Sequence, residues 1–101
     1  MAKFKFSLQA VERYREIVLD DKKNEYAIAA ANVANQEALI KEIEAKIEEV
    51  HLELKLKNQE GISALELQSY GNYLKKLSNR LEEEEGKLVS LQKIEEMHRI
   101  E

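Results

Sequence analysis

Two stretches of the chain carry apolar residues at alternating intervals of three and four. Tyr26, Ala29, Val33, Gln36, Ile40, Ile43, Ile47, Val50 and Leu54 form one series. Leu67, Tyr70, Leu74, Leu77, Leu81, Glu84, Leu88, Leu91, Glu95 and His98 form the other. This spacing keeps a stripe on one face of an α-helix and is the heptad seam of a coiled coil. Folding the chain back about Ile62 sets the two series in register, Leu54 against Tyr70, Val50 against Leu74, Ile47 against Leu77, Ile43 against Leu81 and Val33 against Leu91. The pattern predicts an all-α protein in which two long helices form an antiparallel coiled-coil hairpin, a single domain over residues 1–101.

Local signals set the expected boundaries. Ser7 is suited to cap the first free amides, and Phe6 stands at the hydrophobic-staple distance from Val11, so the first helix is expected over about residues 8–60. Asn58, Gln59 and Gly61 supply the stop, with Gly61 free to take the left-handed conformation that closes a helix. After a turn at about 61–63, Ser63-Ala64-Leu65-Glu66 reads as a capping box, with Ile62 and Leu67 as its staple, and starts a second helix over about 64–101. Gly71 and Gly86 lie inside that helix, each costing about 1 kcal/mol relative to Ala. The first helix is the longer, so roughly 15 of its residues, about 22 Å, are expected to lack an intramolecular partner. Leu8, Val11, Tyr14 and Val18 lie there and make an apolar stripe suited to self-association.

Composition narrows the possible functions. Ala, Glu, Lys, Leu and Arg fill well over half of the 101 residues and Pro is absent, the usage of long uninterrupted helices. Two helices share a linear seam with no interior in which to enclose a small molecule, which argues against an enzyme. The chain has no Cys, excluding disulfides, a thiol nucleophile and a thiolate metal site. Its net charge of -4 comes without a basic stripe, so nucleic acid is not an expected partner. No apolar run approaches the roughly 20 residues that span a bilayer, and Met-Ala-Lys-Phe-Lys-Phe lacks the core of a signal peptide, which points to the cytoplasm.

Candidate chemistry is sparse. Glu82 to Glu85 fan around a helix, as a solvated face does, and do not converge on a cation. Glu84 falls on the seam opposite Ile40 and is expected to snorkel at its edge. His51 and His98 sit at opposite ends of the rod without metal-ligand spacing, and neither catalytic nor cofactor-binding residues are found. The aromatics carry more information. Tyr70 belongs to the seam, while Tyr73 falls beside it near the hairpin tip, flanked by Leu77, the placement of an interface anchor or, equally, of a side chain packed along the flank of the hairpin. Phe4 and Phe6, interleaved with Lys3 and Lys5, are too few for an amphipathic membrane anchor.

The opening, Phe4-Lys5-Phe6-Ser7-Leu8-Gln9-Ala10-Val11-Glu12-Arg13-Tyr14-Arg15-Glu16, resembles that of the FliJ family, the coiled-coil component of the flagellar type III export apparatus. Tyr70-Gly71-Asn72-Tyr73-Leu74-Lys75-Lys76-Leu77 resembles the start of that family's returning helix. Glu12 departs from the family pattern, which is apolar at that position, and the second helix is shorter, as in a C-terminally shortened form. The resemblance implies a non-enzymatic rod in the cytoplasm at the flagellar base, on the inner-membrane side. The partners it implies are the export ATPase hexamer, the cytoplasmic domain of the export gate and export chaperones. It assigns gate contacts to Tyr73 and Leu77, and to Arg80 and Glu84, which differ from the family in residue type. It assigns the ATPase end to the termini, where Leu8, Val11, Tyr14 and Val18 stand. The competing class is a structural coiled-coil spacer or dimerisation module without specific partner chemistry.

Overall fold

The structure, a computed structural model, describes the backbone of residues 2–100 and the side chains of residues 8–100. The expected roles of the Phe4, Phe6 and Ser7 side chains lie outside the described residues. Two helices account for nearly all of the chain, α1 (Ala2–Glu60) and α2 (Ala64–Ile100). They pack antiparallel into a rod of 90 × 17 × 17 Å. With no Pro and no internal Gly, α1 has nothing to interrupt it over 59 residues. It begins at Ala2, ahead of the expected start at about residue 8, so the backbone at Ser7 is already helical and Ser7 is not the residue that opens the helix.

The turn is short because each residue in it has a defined task. Gly61 takes a φ of 101°, the left-handed conformation that a side chain disfavours. Ser63 then opens α2, its hydroxyl oxygen accepting from the Glu66 amide at 3.1 Å and its carbonyl accepting from the Leu67 amide at 3.0 Å. The capping box is half made, since among the described residues no hydrogen bond returns from the Glu66 carboxylate to the Ser63 amide. The staple is also incomplete, with Ile62 half-buried and Leu67 exposed.

The seam follows the three-four pattern along nearly its whole length. Ala29, Val33, Ile40, Ile43 and Val50 of α1 and Leu77 of α2 are buried. Gln36, Ile47, Leu54, Tyr70, Leu74, Leu81, Leu88, Leu91, Glu95 and His98 are half-buried, and only Tyr26 and Leu67, at the two ends, are exposed. Burial is deeper on α1, which supplies five of the six buried apolar residues. Near the tip the Tyr70 hydroxyl donates to Glu53 Oε1 at 2.9 Å, and Lys57 Nζ stands 5.3 Å from the Tyr70 ring centre. The Tyr70 hydroxyl beside it raises the Lys57 pKa above the ordinary lysine value. At the other end His98 Nδ1 lies 3.6 Å from Glu25 Oε2, which marks where α2 stops covering α1. Among the described residues no helix is long and apolar enough to cross a membrane.

Candidate interaction surfaces and a polar layer in the seam

The surface around Tyr73 is built by both helices. Residues 70, 74, 77 and 81 take the seam, so residues 73 and 80, one heptad apart, fall on its flank. Tyr73 is 42% exposed, and below it runs an open furrow lined by Leu39, Glu42, Ile43 and Lys46 of α1 and by Tyr73, Leu77 and Arg80 of α2. Lys46 is held by Glu49 at 3.7 Å, a solvated pair of small energetic weight. Four α2 residues were expected to contact a partner, and the structure divides them. Tyr73 and Arg80 face outward, whereas Leu77 and Glu84 are buried against α1. Leu77 forms the floor of the furrow, and the Glu84 carboxylate is turned into the seam.

Glu84 is also where the expectation of snorkelling fails. Its carboxylate stays inside because Gln36, on the seam of α1, supplies a donor from across it. Gln36 Nε2 donates to Glu84 Oε2 at 2.6 Å and to the Glu84 carbonyl oxygen at 2.9 Å. Lys87 Nζ reaches Oε1 at 3.3 Å from one turn further on. The Gln36 hydrogen bond holds the Glu84 carboxyl below the ordinary value; burial opposes this, and Lys87 and Arg80 reinforce it. Sequence reasoning placed both residues on the seam and missed that they pair. The available signal was a lone amide on one stripe, diagonally opposite one of the two acids on the other.

The remaining acidic residues of the run, Glu82, Glu83 and Glu85, are exposed. Among the described residues no three of His, Cys, Asp and Glu come together as a metal-holding group. His51 is exposed beside the seam residue Val50, far from His98.

N-terminal to Glu25, α1 runs alone. Leu8, Val11 and Tyr14 are exposed, at 49%, 45% and 68%, and Val18 is half-buried. Ile17 and Leu19 are exposed as well, so the apolar surface there is wider than the four-residue stripe. A hollow between Gln9 and Ile17 is lined by this one helix only.

Comparison with protein-family models, with curated proteins and with solved structures finds no match to this chain.

Proposed function

We propose that the chain is a non-enzymatic, cytoplasmic rod of the flagellar type III export apparatus, similar to FliJ, linking export ATPase, export gate and export chaperones. The observation that carries this reading is Tyr73, an aromatic 42% exposed beside the hairpin tip, within the stretch whose sequence resembles that family. Arg80, one heptad further along the same flank, supplies a charged contact. Leu77 supports Tyr73 from below and acts on the partner only through it. The exposed stripe of Leu8, Val11 and Tyr14 gives the ATPase end of the rod an apolar surface.

Binding to the cytoplasmic domain of the export gate tests the proposal. Tyr73→Ala should weaken it by roughly 30-fold or more, about 2 kcal/mol, the usual size of an aromatic hot spot. Circular dichroism on the same variant should show an unchanged helix content. A folded Tyr73→Ala protein that binds as well as the parent, or a parent that binds neither gate nor ATPase, would return the chain to the class of structural spacers.

A further inference from the structure

One flank of the hairpin sets large apolar side chains among its charges on both helices, Ile28 and Leu39 on α1 and Tyr73, Ile94 and Met97 on α2, whereas Val89 is the one large apolar residue of the other. The Tyr73 furrow is one part of the first flank. A second furrow, toward the far end of α2, is lined by Glu25, Ile28, Ala29 and Asn32 with Ile94 and His98. The two lie on the same side. On α1, Ile28, Asn32, Leu39, Glu42 and Lys46 each directly precede a seam residue, and on α2 so do Tyr73, Arg80, Lys87 and Ile94. Ile28 is 62% exposed and Ile94 45%. The opposite flank, made of the residues that follow the seam, carries Glu37, Lys41, Glu44, Lys75 and Glu82 at the height of the Tyr73 furrow, and the small Ala27, Ala30 and Ala34 with Val89 toward the other end.

The charges on the Tyr73 flank are divided between the helices. Its α1 edge carries Glu25, Glu42, Glu49 and Glu53 against Lys46, a net acidic edge, and its α2 edge carries Lys76, Arg80 and Lys87 against Glu66 and Glu83, a net basic one. An edge that is acidic on one helix and basic on the other complements a copy of itself. Because the hairpin is in mirror register about Ile62, Glu42 stands nearly level with Arg80, Glu49 with Lys76 and Ile28 with Ile94.

We propose that this flank pairs with the same flank of a second copy of the chain. The two-fold axis runs along the rod, both tips point the same way, and α1 of each copy lies against α2 of the other. Every neighbouring pair of helices is then antiparallel, as in a four-helix bundle, and the contact is isologous. Ile28 meets Ile94 of the second copy, and Glu42 meets its Arg80. The area is sufficient. A face as long as α2, about 55 Å, and as wide as the rod, 17 Å, covers roughly 900 Å² per copy, the size of a standard specific interface. Pairing does not depend on the export reading, and since Tyr73 lies within the face, a paired molecule cannot present it to another partner.

Sedimentation over a range of concentrations should show a monomer passing to a dimer. The double variant Ile28→Glu/Ile94→Glu, altered only at exposed positions, should stay helical and monomeric. Glu42→Arg should weaken pairing by about tenfold, and adding Arg80→Glu in the same chain should restore it. The protein has no cysteine, so mixing an Ile28→Cys chain with an Ile94→Cys chain should give a heterodimeric disulfide, and Ile28→Cys alone should give none. A monomer at every concentration overturns the proposal. So does a dimer that survives Ile28→Glu/Ile94→Glu and is lost on Leu8→Glu/Tyr14→Glu, which would move self-association to the overhang, and so does a charge exchange that fails to restore pairing.

Discussion

Between Glu25 and His98 the hairpin has two helices side by side, and before Glu25 it has one. Apolar residues recur at helical spacing in both regions, yet Ile43 is 4% exposed and Val11 45%. The backbone is helical in both, so the difference lies wholly in packing. An isolated helix has little stability of its own, and most of what holds a helix in a protein comes from covering its apolar face. The paired stretch therefore sets the stability of the rod, while the overhang keeps its side chains available for contacts outside the chain.

Truncating one residue in each region gives the largest contrast. Ile43→Ala should lower unfolding stability by about 2–5 kcal/mol, the cost of removing a covered aliphatic side chain from a packed site. Val11→Ala should stay within about 0.5 kcal/mol, as an exposed position does. Urea denaturation followed by circular dichroism measures both. Equal losses would mean that the overhang is covered in solution.

A smaller effect separates the middle of the seam from its ends. Glu84 has its pKa lowered in the folded chain, chiefly by the Gln36 amide. A carboxyl depressed on folding adds stability that is complete above its unfolded value and is lost as pH falls through the folded one. The rod should therefore lose stability as pH drops below the ordinary carboxylate range, and Gln36→Leu should flatten that dependence while destabilising the neutral-pH protein. The double change Gln36→Leu/Glu84→Leu should recover the loss, because an apolar layer leaves no buried group unpartnered. Melting temperature against pH for the three proteins decides it. A parent and a Gln36→Leu variant with parallel curves would show that the hydrogen bond does not set the titration.

The paired stretch was legible in the sequence because a heptad repeat dictates both which residues face inward and which residues they meet, and Ile62 fixed the register. Three features were not legible, each for a different reason. The start at Ala2 was hidden because Ser7 looks like a cap, yet the residues ahead of it include no Gly or Pro to stop a helix from running through. The burial of Glu84 was hidden because periodicity gives positions without giving donors, and only the geometry brings Gln36 within 2.6 Å of its carboxylate. Leu77 could be read both as seam and as partner contact, and only the geometry shows it buried in the seam while also flooring the furrow beneath Tyr73.

The smallest expected effects are gains, and they test whether the paired stretch alone governs unfolding. At Gly71 and Gly86 an added Cβ would meet nothing within 4 Å, and neither has a positive φ. Gly71→Ala and Gly86→Ala should each stabilise the hairpin by about 0.5–1 kcal/mol, by restricting the unfolded chain and favouring the helix. Gly61→Ala should do the reverse by about 1–2 kcal/mol, since its φ of 101° suits a residue without a side chain. In the overhang, Asp20→Ala improves helix propensity by a similar few tenths to 0.7 kcal/mol, but it acts on a segment that opens before the seam does. The denaturation midpoint should therefore rise for Gly71→Ala and Gly86→Ala and stay in place for Asp20→Ala, whose only signature should be slower amide exchange around residue 20. A midpoint that rose equally for Asp20→Ala would show that overhang and hairpin unfold as one cooperative unit, and the division between the two regions would then be one of exposure without a difference in stability.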